Sequence, residues 1–151
     1  MRGDRLKDCV AIVTGGSTGI GYGCAQVLGS AGLHVVITAR TEADGRQAEA
    51  DLTGQGLSVV YMPQDVSLEA DWERVAKDTV ARFGRLDFLI NNAGISALSP
   101  IEETAAETLM SIVRVNLIGA WYGLKHTVYR SFRSHTASAA SRAWRSTSPR
   151  C

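Results

Sequence analysis

The chain has 151 residues, of which 45% are apolar and 21% charged, a composition that fits one folded domain and excludes disorder throughout. The chain contains 16 Lys and Arg and 15 Asp and Glu, which gives a net charge of +1. A charge this close to zero gives no reason to expect nucleic acid or an anionic membrane as partner. The three cysteines are scattered, so we expect no disulfide framework, no metal site and a reducing, cytoplasmic compartment.

Four short apolar runs predict strands at Val10–Val13, Val35–Ile37, Val59–Met62 and Phe88–Ile90. The runs are continuous rather than alternating, which is typical of strands buried on both faces of a parallel sheet. Glycine, serine and threonine interrupt the uncharged stretch that contains the first two runs, so we do not expect it to span a membrane.

Helical periodicity fills the intervals between these runs. The first helix is expected to bury a stripe made of Ile20, Cys24, Val27, Leu28 and Ala31. A weaker helix is predicted over Thr41–Leu52. The third has Ser67 as its expected N-cap and the stripe Trp72, Val75, Ala76, Val80 and Phe83. The alternation of strands and helices predicts a doubly wound α/β sheet with strand order 3-2-1-4.

A longer helix is predicted after the fourth run, from a T-x-x-E capping box at Thr104–Glu107 to near Phe132. Its apolar stripe is Leu109, Ile112, Val113, Leu117, Ala120, Leu124 and Val128. Asn116 falls within this stripe, where spacing alone favours a buried amide with satisfied hydrogen bonds. Part of the stripe is expected to face water, which makes this helix a candidate surface for a homo-oligomer.

The strongest local signal is the sequence T-G-G-S-T-G-I-G at Thr14–Gly21, directly after the first strand and at the start of the first helix. Glycines let the chain turn sharply and let its backbone approach a pyrophosphate, which the helix N-terminus also favours. A tight strand-to-helix loop is the alternative. The spacing G-x-x-x-G-x-G in this context favours a dinucleotide-binding turn.

The second strand ends in Ala39 and Arg40, at the position where a dinucleotide fold meets the adenosine ribose. An acid there would bind the ribose diol and repel a 2′-phosphate, whereas Arg40 can pair with that phosphate. The alternative is a solvated arginine at a strand end. We therefore expect NADP(H) to be preferred, with NAD(H) still possible.

These residues resemble the short-chain dehydrogenase/reductase family, together with N-N-A-G at Asn91–Gly94, D-V at 65–66 and V-N at 115–116. The resemblance runs from about Lys7 to about Tyr129. It implies an NAD(P)-binding Rossmann-like domain over residues 1–130 and hydride transfer between nicotinamide and a small alcohol or ketone. By themselves, the two adjacent Asn would favour a turn.

The family resemblance also implies roles for individual residues. Those expected to contact the cofactor are Gly15, Ser17, Thr18, Gly19, Ile20, Gly21, Arg40, Asp65, Val66, Asn92, Ala93 and Gly94. The resemblance gives the first six the pyrophosphate, Asp65 and Val66 the adenine, and the last three the adenine-side ribose. Asn116 would be the family's active-site Asn, which holds a water in the proton relay.

The family's catalytic Tyr-x-x-x-Lys pair is missing from the chain. None of the four tyrosines has a Lys four residues later, since those positions hold Gln26, Asp65, His126 and Arg133. A tyrosine needs a nearby cation to act at neutral pH, so we expect a truncated, inactive chain. It would be a dinucleotide-binding remnant or an association-prone product without function.

Residues 131–151 differ in composition from the rest of the chain. They contain six Ser and four Arg but no acid and no Gly, and we expect an atypical, disordered tail. Translation in a shifted frame, an alternative terminal exon and a genuine end all remain open. A tail that binds nucleic acid is disfavoured, because the segment is poor in lysine and has no repeat.

Overall fold

Four parallel strands form the centre of the molecule in the computed structural model, which describes residues 6–127. They are β1 (Val10–Thr14), β2 (His34–Ala39), β3 (Val59–Pro63) and β4 (Phe88–Ile90). Their order in the sheet is β3-β2-β1-β4, so the predicted α/β fold and strand order are confirmed. The predicted tail at 131–151 lies outside the described residues.

Helices cover both faces of this sheet, which explains why the strands are continuously apolar. On one face, Val13 and Ile37 belong to a core that includes residues of α1 (Gly19–Ser30) and α2 (Glu42–Gly54). On the other face, Ile12 and Val36 pack with Val75 of α3 (Glu69–Phe83). Every residue of β1 is buried, as a central strand of a doubly wound sheet requires.

The first helix buries a different face from the one that its apolar stripe predicted. Ile20 is 80% exposed and Val27 is also exposed, whereas Gly21, Ala25 and Gly29 are buried. The reason is close packing, since a Cβ added to Gly21 would lie 2.2 Å from the Gly15 carbonyl oxygen. Only small residues fit on this side of α1, and the prediction of an inward Ile20 and Val27 is wrong.

The third helix packs through large residues, as predicted. Trp72, Val75 and Ala76 are fully buried, and the Trp72 indole N–H donates to the Val66 carbonyl oxygen at 2.9 Å. The predicted N-cap is wrong, because Leu68 takes that position and the Ser67 hydroxyl donates to Asp65 Oδ1 instead. This bond closes the loop after β3, and the backbone N–H of Asp65 joins that loop to Asp71 in the first turn of α3.

The last described segment is helical from 106 to 127 but not uniformly so. It consists of α4 (Ala106–Val113), a π-helical stretch (Arg114–Gly119) and α5 (residues 120–127), and we call it the 106–127 helix. It follows a 3₁₀ turn at Ile101–Glu103. The predicted capping box is wrong, since Ala105 is the N-cap and the Thr104 hydroxyl donates to the Pro100 carbonyl oxygen.

The 106–127 helix buries small residues and exposes several of its large ones. Gly119, Gly123 and Thr127 are buried, whereas Leu117 is 65% exposed and Leu124 is also exposed. Leu109 is exposed as well, so the predicted inward stripe is wrong for all three leucines. A Cβ on Gly123 would lie only 2.7 Å from Trp72 Cη2, so the indole leaves no room for a larger residue. Within residues 6–127, no helix combines the length and apolar character needed to cross a membrane.

Candidate functional site

A cavity of about 430 Å³ opens where the parallel strands end. Its wall comes from the turn after β1, the ends of β2 and β3, the loop after β4 and Val115. The cavity thus spans the junction of β1 and β4, where the strand order changes direction and where ligands bind in open α/β sheets. All the predicted site residues except Gly21 and Asn116 line it.

The glycine-rich turn presents backbone rather than side chains to this cavity. Gly15 has a φ of +63°, and a Cβ there would lie 3.0 Å from Asn92 Nδ2. Gly21 lies behind the turn and lets α1 approach Gly15. Thr18 is the N-cap of α1 but makes no side-chain cap hydrogen bond. The N-terminus of α1 therefore leaves its first amide groups to a ligand.

The loop after β4 is fastened to this turn by Asn92 and Thr14. The Asn92 side-chain amide donates to the Thr14 and Gly15 carbonyl oxygens at 2.9 and 3.2 Å. The Thr14 hydroxyl accepts from the backbone N–H groups of Asn92 and Ala93, both at 3.0 Å. The Asn92 side chain is thus used to hold the glycine-rich turn. Ala93 and Gly94, which have little or no side chain, form the adjacent part of the cavity wall. Thr14 was not predicted, although its place at the head of the glycine motif is a usable signal.

The end of β2 contributes a cation to the rim. Arg40 lines the cavity, is exposed, and forms no ion pair with the other residues in the 6–127 range. The backbone N–H of Gly16 donates to the Thr38 carbonyl oxygen at 3.0 Å, which fixes the glycine-rich turn beside β2. The guanidinium of Arg40 is therefore available to an anion at this end of the cavity.

The end of β3 holds a carboxylate in a fixed orientation. Asp65 Oδ1 accepts from the backbone N–H and the hydroxyl of Ser67 at 2.9 and 2.7 Å. The backbone N–H of Asp65 donates to Asp71 Oδ2 at 2.7 Å, and Arg74 pairs with the same Asp71 carboxylate. Among residues 6–127, Asp65 Oδ2 makes no hydrogen bond, so this oxygen can accept one from a ligand.

Two buried polar residues of the wall were not predicted from the sequence. Thr38 and Gln64 line the cavity, are 1% and 3% exposed, and have side-chain polar atoms without a hydrogen-bond partner in the described part of the chain. The usable signal was a polar residue that directly follows a buried apolar strand, just before the D-V motif.

Asn116 lies beside the cavity and fixes one of its walls. Its Oδ1 accepts from the Ile95 N–H and its Nδ2 donates to the Ile95 carbonyl oxygen, both at 2.9 Å. The amide is satisfied, as spacing favoured, but Asn116 is exposed rather than buried. It belongs to the π-helical stretch, and such stretches often mark functional sites.

A model of the short chain dehydrogenase family matches residues 9–138, which include the start of the compositionally distinct tail. An L-fucose dehydrogenase from Oryctolagus cuniculus is 40% identical over 120 residues, covering 79% of this chain and 41% of that protein. An NADP-dependent (R)-specific alcohol dehydrogenase from Lentilactobacillus kefiri is 36% identical over 127 residues, covering 84% and 50%.

The solved structures include close matches to the same fold. The apo form of LigD from Sphingobium sp. strain SYK-6 superposes with a TM-score of 0.83 at 33% identity, covering 85% of this chain and 55% of that one. The chain thus spans about half the length of the relatives that it matches.

Proposed function

Because the chain belongs to the short-chain dehydrogenase/reductase family, a family of oxidoreductases that bind NAD(P), we propose that its cavity binds NADP(H) in preference to NAD(H). The observation that carries this preference is Arg40, an exposed guanidinium at the cavity rim without an ion pair in the described residues. A 2′-phosphate would supply its missing partner. The NADP dependence named for the Lentilactobacillus relative supports the same choice.

The other walls of the cavity fit the rest of such a ligand. The turn between Gly15 and Gly21, with Ser17, Thr18, Gly19 and Ile20, offers backbone and an uncapped helix N-terminus to the pyrophosphate. Asp65 and Val66 would hold the adenine, since Asp65 Oδ2 is an available acceptor. Ala93 and Gly94 would border the ribose, with Asn92 acting through the hydrogen bonds that hold the turn.

The substrate class proposed with this cofactor is a small alcohol or ketone, as the family suggests. A bound nicotinamide would accept or donate the hydride. The chain's own contribution on that side is Asn116, whose side chain fixes the backbone of Ile95 in the cavity wall. Its proposed role is to position this wall and the water of the family's proton relay.

We further propose that these 151 residues bind the dinucleotide without completing hydride transfer. No tyrosine in the sequence has a lysine four residues later, so the proton donor and the cation that activates it are both missing. Residues 1–130 would form the binding domain. A reducing, cytoplasmic compartment is part of this proposal, and the absence of a disulfide between Cys9 and Cys24 is consistent with it.

The outer face of the 106–127 helix is proposed as a contact between copies of the chain. Five large apolar residues are exposed there, namely Leu109, Met110, Leu117, Trp121 and Leu124. A contiguous apolar patch on a folded surface is typical of an interface.

A titration of NADPH and NADH against the purified chain tests the proposed function. We expect NADPH to bind more tightly, and Arg40→Ala to weaken NADPH binding by about 1–3 kcal/mol while leaving NADH binding unchanged. Arg46→Ala is the matched control, because Arg46 lies on α2 and already pairs with Glu42 at 2.8 Å. Equal dissociation constants for the two cofactors would contradict the proposal.

A further inference from the structure

Two adjacent asparagines at the end of β4 bind two different elements. Successive side chains of an extended segment point in opposite directions. The Asn92 side chain donates to the glycine-rich turn, whereas Asn91 Nδ2 donates to the Ala120 carbonyl oxygen of the 106–127 helix at 3.2 Å. Asn91 lies outside the cavity lining, and the proposed function gives it no role. Its contact with the helix therefore needs an explanation of its own.

The carbonyl group that Asn91 binds marks one end of the π-helical stretch. Ala120 is the residue directly after that stretch, at the point where α5 begins. In a π-helix each backbone N–H pairs with the carbonyl five residues back rather than four, so the stretch holds one residue more than a regular α-helix would. Asn91 thus adds a hydrogen-bond donor from the sheet at the point where the helix returns to its regular form.

The position of Asn116 depends on this extra residue. Asn116 lies inside the π-helical stretch, and both polar atoms of its side chain bind the Ile95 backbone at 2.9 Å. Each residue turns an α-helix by about 100°. If the stretch became regular, Asn116 would rotate by about that angle relative to α5 and would no longer reach Ile95. The cavity wall at Ile95 therefore depends on the π-helical stretch.

The loop after β4 is attached to the π-helical stretch at two points. Asn116 binds Ile95 at one of them, and Asn91 binds Ala120 at the other. Close packing holds the Asn91 side chain in place, since a Cβ added to Gly123 would lie only 2.8 Å from Asn91 Oδ1. Asn91 is thus fixed beside the first turn of α5, with its amide directed at the end of the stretch.

Resting on the proposed function, which gives Asn116 its role in the cavity, we propose that Asn91 is a positioning residue for the wall at Ile95. Its hydrogen bond to Ala120 holds the π-helical stretch, and the stretch in turn holds the Asn116 side chain on the Ile95 backbone. Asn91 acts through Asn116 and does not line the cavity itself.

The experiment measures hydrogen exchange of the Ile95 N–H by NMR on the full 151-residue chain, because this N–H donates to Asn116 Oδ1. Asn91→Asp keeps the shape of the side chain and removes the donor, and Asn91→Ala removes the donor without adding a charge. Each should speed the exchange by about 5-fold. Asn116→Ala should do the same, and Asn91→Asp should add little to it, because both changes remove the same contact.

Thr127→Val is the matched control, because it removes a buried hydrogen bond of the same helix, from the Thr127 hydroxyl to the Gly123 carbonyl oxygen at 2.7 Å. It should lower the melting temperature and leave the exchange at Ile95 unchanged. Asn91 variants that behave like this control would show a merely structural role and overturn the inference. Additive effects of the Asn91 and Asn116 substitutions on the exchange at Ile95 would overturn it as well.

A titration with NADPH separates this inference from the proposed function. Because Ile95 lines the cavity, both Asn91 variants should bind NADPH about 3-fold more weakly, and this loss should disappear when Asn116 is already Ala. If the unmodified chain does not bind NADPH, the proposed function fails. The exchange at Ile95 then still decides whether Asn91 positions this wall, because that measurement needs no cofactor.

Discussion

α3 and the 106–127 helix lie against each other, yet they pack in opposite ways. α3 buries its large side chains, with Trp72 at 0% exposure. The 106–127 helix buries Gly119 and Gly123 and exposes Leu117 and Leu124. Both sequences have an apolar helical period, so the period indicates a helix in each case but not the face that packs inward.

The two helices pack differently because the side chains of α3 fill the space between α3 and the 106–127 helix. Trp72 occupies the volume beneath α5, and a side chain at Gly123 would meet both its ring and the Asn91 side chain. Leu117, Trp121 and Leu124 therefore lie on the outer face of the 106–127 helix. The same arrangement occurs at α1, where Gly21 packs on the turn and Ile20 faces out. Close packing by small residues and an outward apolar face thus occur together in this fold.

The largest expected effect comes from the residue that fills this space. Trp72→Ala should lower the free energy of unfolding by about 3–5 kcal/mol, because it leaves a cavity and removes the hydrogen bond to Val66. Trp121→Ala is the control, since Trp121 is 56% exposed on the outer face, and it should change stability by less than about 0.5 kcal/mol. Urea unfolding measures both, and equal losses would contradict the contrast between the two helices.

A complementary change adds volume where the 106–127 helix meets α3. Gly123→Val should destabilise the fold by about 1–3 kcal/mol, because its side chain would overlap Trp72 and Asn91. The control is Gly23→Ala on α1, where nothing lies within 4 Å of the added Cβ. That change should stabilise the protein by about 0.5–1 kcal/mol through helix propensity. A neutral Gly123→Val would mean that the two helices are not tightly packed.

The outer face should matter for association rather than for folding. Replacing Leu117 and Leu124 together by Asp should shift the chain from oligomer towards monomer in sedimentation velocity. The free energy of unfolding of each monomer should change by less than about 0.5 kcal/mol per site, because both side chains are exposed. A chain that is monomeric before the substitution would refute the proposed contact between copies.

The smallest expected effect is a pH dependence of stability where α3 meets the 106–127 helix within one chain. Hydrogen bonds from Lys125 and His126 hold the pKa of Glu69 below its ordinary value of 4.5. Glu69 therefore adds a stability that is present above that value and is lost as the pH falls through the folded pKa. The stability difference between the unmodified chain and Glu69→Gln should shrink below about pH 4.5.

The control for this pH series is Glu73→Gln on the exposed side of α3, which should leave the pH dependence unchanged. A Glu69 variant whose deficit stays constant from neutral pH into the acid range would show that the carboxylate is not paired in solution. The effect is small in any case, because exposed ion pairs are screened by solvent.

The sequence predicted the sheet and much of the cavity because both depend on local signals. Continuous β-branched runs indicate buried parallel strands, and the glycine turn combines left-handed backbone with close approach at Gly15 and Gly21. Arg40 follows directly from the end of a strand, whereas Asp65 was expected only from the family resemblance. The location of each of these features depends on a single strand or turn.

The features that escaped prediction depend on contacts between distant segments. The inward face of the 106–127 helix depends on Trp72, which lies far from Gly123 in the sequence. The π-helical stretch shifts Asn116 out of the expected buried stripe and to Ile95. Thr38 and Gln64 come to the same cavity wall only when β2 and β3 align. No local sequence pattern predicts these contacts between distant segments.

The most direct test of the central claim, that this cavity is the dinucleotide site, is backbone hydrogen exchange with and without saturating NADPH. The account predicts slower exchange in four segments: the turn Gly15–Gly21 and residues 38–41, 64–66 and 92–95. The exchange rate of backbone amides in the exposed part of the 106–127 helix should stay the same. Slowing confined to that helix, or none at all at saturation, would contradict the account.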